Sequence, residues 1–239
     1  VSKYDTVILD ESESIYEQFS STNIKNLSQI IYNFSNIIAK AKRVICMDAY
    51  MGERTIELTN ELRGRNKKDI KFTINTFKNQ GPKSETGQYT YNIGYCKNEF
   101  YNKIKESLDE GKKIVIMSNT RDKLSAYEKM VSQDFPHLNI QSYTSLSRTD
   151  EKKELKDVNR SWLQYNIVMY SPTITAGISF EEKHFDKVFC LFSNMSCSVL
   201  SCMQMMGRVR DVKERDITIC LETHYCRCSV TKDGIEEEQ

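Results

Sequence analysis

The sequence predicts an α/β fold of parallel sheets with flanking helices, on three observations. Apolar runs of strand length recur along the chain, helical periodicity fills the intervals, and polar or acidic residues follow the runs at once, where the strands of an open parallel sheet end on a crevice. A chain of 239 residues can bury one large core or two modest ones.

Eight runs predict strands: Thr6 to Leu9, Val44 to Met47, Phe72 to Phe77, Ile114 to Met117, Ile140 to Tyr143, Ile167 to Tyr170, Val188 to Phe192 and Ile217 to Leu221. Between the first two, Ile24, Leu27, Ile30, Ile31, Phe34, Ile37, Ile38 and Ala41 give a long helix after Thr22 one apolar face, a core face and not a cofactor surface. Phe100, Tyr101, Ile104 and Leu108 mark a second helix, closed by Gly111 before "KKIVIMSNT", and Leu124, Tyr127, Met130 and Val131 mark a third. The stretch "NQGPKSETGQYTYNIG" holds three of the nine glycines and one of the three prolines without helical periodicity, so it reads as a linker. The predicted division is a first domain over 1–77, a linker over 78–96 and a second domain over 97–239.

Charge is nearly balanced, 34 basic against 33 acidic side chains, so any nucleic-acid contact has to come from local patches and not from a protein-wide field. No run approaches the roughly 18 apolar residues of a membrane span and no charged-then-apolar leader precedes Tyr4, which leads us to expect a soluble, intracellular protein with no membrane partner. Of the eight cysteines, Cys46, Cys190, Cys202 and Cys220 lie in apolar runs and are expected to pack as small hydrophobes, not to build a disulfide scaffold. His224, Cys226 and Cys228 in "HYCRC" have no second ligand pair at zinc spacing, and zinc is not expected.

The candidate chemistry follows the strand ends. Asp10 and Glu11 in "LDESE" can hold magnesium and orient a water at a terminal phosphate, although a helix N-terminus attracts acids by its dipole alone. Asp48 in "MDAYMG" can reach toward them or cap a helix. Ser118, Asn119, Thr120 and Arg121 in "IMSNTRDK" offer hydroxyl, amide and guanidinium groups at a strand-to-helix turn, and capping explains most of them equally well. Thr173, Thr175 and Gly177 in "SPTITAGISF" suit backbone phosphate contacts or a tight turn around Pro172 and Gly177. "SCMQMMGRVRD" concentrates Gln204, Gly207, Arg208 and Arg210 beside Met203, Met205 and Met206 within one or two helical turns. Guanidinium forks placed there suit a phosphoryl group in transfer better than an ordinary solvated face.

Taken in order, "LDESE", "MDA", "IVIMSNT", "TITAGISF" and "QMMGRVRD" resemble motifs II to VI of superfamily 2 helicases. From Tyr4 to about Leu221 the chain is most similar to the helicase region of the herpesvirus-type replication origin-binding proteins and their relatives in large DNA viruses and mobile elements. The resemblance implies RecA-like parallel sheets in two lobes, a partial first and a complete second, with ATP and Mg2+ between them and DNA, or RNA, across their tops. It implies Asp10 as the metal ligand and Glu11 as the activator of the hydrolytic water. Gln204, Arg208 and Arg210 would lie at the γ-phosphate, with Asp48, Gly177, Gln204 and Arg208 lining the ATP site. Asp48 and Ala49 would couple hydrolysis to lobe movement, and Ser118, Asn119, Thr120, Arg121, Thr173 and Thr175 would contact the nucleic-acid backbone. "GRVR" has one residue fewer between its arginines than the common sixth motif, and "ESE" replaces the more familiar "EAH" or "EAD".

The phosphate loop G-x-x-x-x-G-K-[ST] does not occur in these 239 residues, where the only Gly-Lys pair is Gly111-Lys112. The resemblance then implies a missing N-terminal part of lobe one carrying that loop, and a chain that by itself turns over ATP poorly or not at all. It also implies a replication protein of viral type, at work in the nucleus or at a cytoplasmic replication site of a host cell, and the abundance of Asn, Lys, Ile and Tyr fits an AT-rich genome. Two other readings stand beside it: a catalytically silent nucleic-acid-binding or scaffolding module that keeps the helicase fold, and an unrelated magnesium-dependent phosphohydrolase built on Asp10 and Glu11, in which the arginine cluster has no role.

Overall fold

The computed structural model describes residues 4–20, 24–64, 70–74, 89–172, 178–194 and 196–223, with Lys152 through its backbone alone. The chain divides into two compact units, Val1–Asn79 and Gln80–Gln239.

The first unit runs β1 (Thr6–Asp10), α1 (Ser12–Gln18), α2 (Leu27–Lys40), β2 (Arg43–Met47) and α3 (Glu53–Arg63). β1 and β2 pair in parallel, in register from Thr6 opposite Arg43 to Asp10 opposite Met47. Successive strand side chains turn to opposite faces. One face gives Val7, Leu9, Val44 and Cys46 to a core with Tyr16, Ile38, Phe19, Phe34, Leu58 and Leu62. The other leaves Ile8, Ile45 and Met47 exposed. Tyr16, Phe19 and Phe34 meet edge to face, with centroids 5.0 to 6.0 Å apart. The predicted stripe of α2 is buried at its C-terminal end, at Ile38 and Ala41, while Ile30 faces solvent. Arg63 closes that end by donating to the carbonyls of Ile38, Ala41 and Lys42 at 3.0, 3.1 and 3.2 Å, which satisfies acceptors a helix terminus leaves open.

The predicted strand over Phe72 to Phe77 is not found in its described part. Residues 70–74 carry no strand, and Phe72 and Ile74 are exposed; an apolar run makes no strand where no neighbour pairs with it. Phe77 and its two predecessors lie outside the described residues.

The second unit holds β3 (Thr90–Gly94), α4 (Lys97–Asp109), β4 (Ile114–Ser118), α5 (Arg121–Asp134), β5 (Ile140–Tyr143), α6 (Thr149–Glu154), α7 (Val158–Ser161), β6 (Ile167–Tyr170), β7 (Lys187–Ser193), α8 (Val199–Met206) and β8 (Asp216–Glu222). The strands form one six-stranded sheet in the order β3-β8-β7-β4-β6-β5, every pair parallel. Alternate residues of the central strands feed two cores. Ile114, Ile116, Ile167, Met169, Phe189 and Leu191 pack on Phe100, Ile104 and Leu108 of α4 and Leu124, Tyr127 and Val131 of α5. Val115, Met117, Val168, Tyr170, Val188 and Cys190 pack on Trp162, Phe180, Phe185 and Met205. Such two-sided burial is what a parallel sheet requires, and it explains the continuous apolar runs of the sequence. Gly111, at φ 73°, ends α4 as predicted, with its amide on the Leu108 carbonyl at 2.9 Å and the Lys112 amide on Ser107 at 3.0 Å.

β3 corrects the predicted linker: Thr90–Gly94 is an edge strand paired along its length with Asp216–Cys220 of β8. It escaped prediction because all five of its residues are exposed, so burial imposes no alternation.

Candidate functional site

In the first unit, the acids that follow β1 are fixed by a reciprocal clasp between two helix starts. Glu11 is the N-cap of α1 at φ 53° and ψ 52°, the left-handed region; a non-glycine residue there costs about 1–2 kcal/mol. Its amide donates to Asp10 Oδ1 at 3.1 Å, and its carbonyl accepts the Ile15 amide at 3.2 Å. Asp48, just past β2, caps α1 from outside, its Oδ2 accepting the Glu13 amide at 2.9 Å and its Oδ1 the Tyr50 amide at 2.8 Å. Glu13 does the same for α3, whose own N-cap is Gly52: Glu13 Oε1 accepts the Gly52 amide at 2.7 Å and the Thr55 amide at 3.3 Å. A methyl group on Gly52 would lie 3.3 Å from Glu13 Oε1, so glycine leaves room for the carboxylate. Burial opposes the charge on Glu13, but the Thr55 side chain, the two amides and the Arg54 charge outweigh it and hold its carboxyl below the ordinary glutamate range.

The structure thus brings together Asp10, Glu11 and Asp48, all singled out in the sequence. It adds Glu13, which sequence reasoning missed although a second acid two residues after Glu11 was its signal. Asp10 is exposed at the carboxyl end of β1. Its hard oxygens fit a magnesium ion that takes one or two carboxylates and completes its shell with water and phosphate.

In the second unit, the turn after β4 splits the predicted group of four. Ser118 and Asn119 are buried. Asn119 is a cross-strand tie: its Nδ2 donates to the Ser193 carbonyl at 2.6 Å and its Oδ1 accepts the Ser193 amide at 3.0 Å, joining the ends of β4 and β7. Ser118 Oγ accepts the Thr120 amide at 3.1 Å. Arg121 is exposed and pairs with its neighbour Asp122 at 2.9 Å. Thr120 and Arg121 are therefore the members of the group that solvent reaches. Thr173, Thr175 and Gly177 lie outside the described residues.

The arginines of "GRVR" stand past the helix, in a clip and not on a helical face. Val209 forms a parallel bridge with Phe180, flanked by the Phe180 amide on the Arg208 carbonyl at 2.8 Å and the Arg210 amide on the Phe180 carbonyl at 2.9 Å. Val209 and Phe180 are buried, so core packing holds the clip. Half-buried Arg208 extends Nη1 to the Ile178 carbonyl at 3.4 Å, whereas exposed Arg210 donates from Nε to Ser179 Oγ at 2.7 Å. Gln204 is half-buried on α8, whose end is held to β6 by the Tyr170 hydroxyl on the Met205 carbonyl at 2.8 Å.

One acid at the carboxyl edge of this sheet left no signal in the sequence. Glu222, at the end of β8, has a side chain only 8% exposed and pairs with Lys97 at 2.7 Å and with Lys123. Burial opposes its charge, but the two ammonium groups outweigh that and hold its carboxyl below the ordinary range. Its partners stand 99 and more residues away, beyond any local pattern. Among the described residues, no three His, Cys, Asp or Glu side chains form a metal-binding group, and no helix is long and apolar enough to cross a membrane.

Two α/β units with all-parallel sheets and polar and acidic residues at strand ends define the class, a RecA-like mixed α/β protein. The DEAD-box helicase Mss116 bound to ssRNA and UDP-BeF shares this fold, with a TM-score of 0.56 at 11% identity over 98% of this chain and 50% of that one. The chain belongs to the origin of replication binding protein family, whose model matches residues 1–83 and 71–232. An African swine fever virus protein named for a helicase/primase complex is 35% identical over 219 residues, 91% of this chain and 20% of that protein. The replication origin-binding protein of Human herpesvirus 7 is 27% identical over 220 residues, 91% of this chain and 27% of that protein. The chain thus spans about a fifth to a quarter of the length of these curated relatives.

Proposed function

We propose that this chain is the motif II to VI region of an ATP-dependent DNA helicase or translocase acting in replication initiation. Asp10 holds magnesium, Glu11 orients the attacking water, Gln204, Arg208 and Arg210 bear on the γ-phosphate, and Asp48 with Glu13 keeps Glu11 in position. Thr120, Arg121, Thr173 and Thr175 serve the nucleic-acid backbone, Ser118 and Asn119 shape the turn beneath them, and Gly177 belongs to the ATP side. Residues 1–77 and 97–239 are the parts of the two lobes. The phosphate loop comes from outside these residues.

The observation that carries the reading is Glu11: a carboxylate at a strand end, held in the left-handed region by a bonded clasp, is strain kept where chemistry needs a fixed group. The family membership of the chain and the names of its relatives support the replication setting. The test is nucleic-acid-stimulated ATP turnover by the full-length protein. Glu11→Gln and Arg208→Ala should each lower turnover at least about a hundredfold, with nucleotide binding retained in the first. Turnover equal to wild type in both variants would overturn the roles given to Glu11 and Arg208, and a folded wild-type protein that binds nucleic acid and hydrolyses no ATP would return the silent-module reading.

A further inference from the structure

The first turn of α8 is closed by two thiols. Ser198 caps the helix, its Oγ accepting the Ser201 amide at 3.2 Å. The positions flanking such a cap, N′ and N4, usually carry an apolar pair that staples the chain to the helix; here they are Cys197 and Cys202, with sulfurs 3.7 Å apart. Cys202 is 8% exposed within the core, and Cys197 is half-buried against the same cluster, so the pair has one buried and one partly exposed member. Asn119 Nδ2 points a donor at Cys202 Sγ from 3.9 Å. The hydrogen bond to Cys197, and then burial, push the Cys202 thiol up, which makes Cys202 a poor first nucleophile and gives that role to Cys197, the less buried of the two.

We propose that Cys197 and Cys202 are a redox modification site, a thiol pair that closes to an intramolecular disulfide and locks the first turn of α8. The oxidant is a low-molecular-weight disulfide of the glutathione class. The Cys197 thiolate attacks one of its sulfurs, forming a mixed disulfide and releasing one small thiolate. Cys202 gives its proton to that thiolate, attacks the Cys197 sulfur and expels the second small thiolate. Two protein thiols are oxidised and one small disulfide is reduced to two thiols. The sulfurs must come to about 2 Å, a short movement for Cys197, which lies outside the helix.

The test treats native full-length protein with oxidised glutathione, blocks remaining thiols by alkylation and maps the cysteines by tandem mass spectrometry. Cys197 and Cys202 are expected to lose two hydrogens together and carry neither alkyl group nor glutathione, reversibly with dithiothreitol. Exposed Cys96 should carry glutathione in the same sample. Cys202→Ser should trap glutathione on Cys197, and Cys197→Ser should leave Cys202 unmodified. Full alkylation of both, a separate glutathione on each, or a bridge formed only after denaturation would overturn the proposal.

Discussion

Glu11 carries its strain in the backbone, so its cost can be separated from its chemistry. Glycine adopts positive φ without penalty. Glu11→Gly should therefore raise the unfolding free energy of the first unit, by up to about 1 kcal/mol once the chain entropy that glycine loses on folding is set against the relieved strain, while abolishing ATP turnover; chemical denaturation and the ATPase assay read the two effects. Asn119 should behave in the opposite way. Its amide makes both bonds to Ser193 in a buried setting, so Asn119→Ala should cost about 2 kcal/mol in the denaturation of the second unit, whereas Arg121→Ala should leave stability nearly unchanged. The residues of the site were legible in the sequence as types at strand ends, as with Asp10, Glu11 and Asp48. Their partners were not: that Asn119 would spend its amide on Ser193, or Asp48 its carboxylate on the start of α1, depends on which strand and helix ends the fold sets side by side.

At the scale of elements, periodicity located what burial had shaped. β4, β6 and β7 are buried at nearly every position and appeared as unbroken apolar runs. β3 has no buried residue and did not. The clip around Val209 was read as helix because a buried valine between two arginines fits either period. Ion pairs between elements were invisible for the same reason of distance, and they set the acid response of the second unit. Burial opposes the charge on Glu222, Glu214 and Asp186, but lysine side chains hold the first two carboxyls low, and the Lys113 amide followed by the Lys213 side chain holds the third. A depressed folded value stabilises above the unfolded one and is lost as pH falls through the folded one. The second unit should therefore weaken as pH drops below the ordinary glutamate value of 4.5. Glu222→Gln should lower its melting temperature at neutral pH and flatten its decline in acid, as thermal melts across pH will show.

At the scale of the molecule, the alternation of runs and helices was enough to give parallel α/β architecture, and motif order was enough to give the family. The first unit shows what the pattern could not weigh. Parallel sheets are ordinarily covered on both faces, and the β1 and β2 pair covers one. Ile8 and Ile45 sit opposite each other in register, 59% and 37% exposed, with Met47 at 44% beside them. A sticky patch of that kind has a practical result for anyone purifying this stretch by itself: it should self-associate as concentration rises. Ile8→Lys should restore a single sharp species in light scattering, because a charge there would keep the bare strands from finding one another.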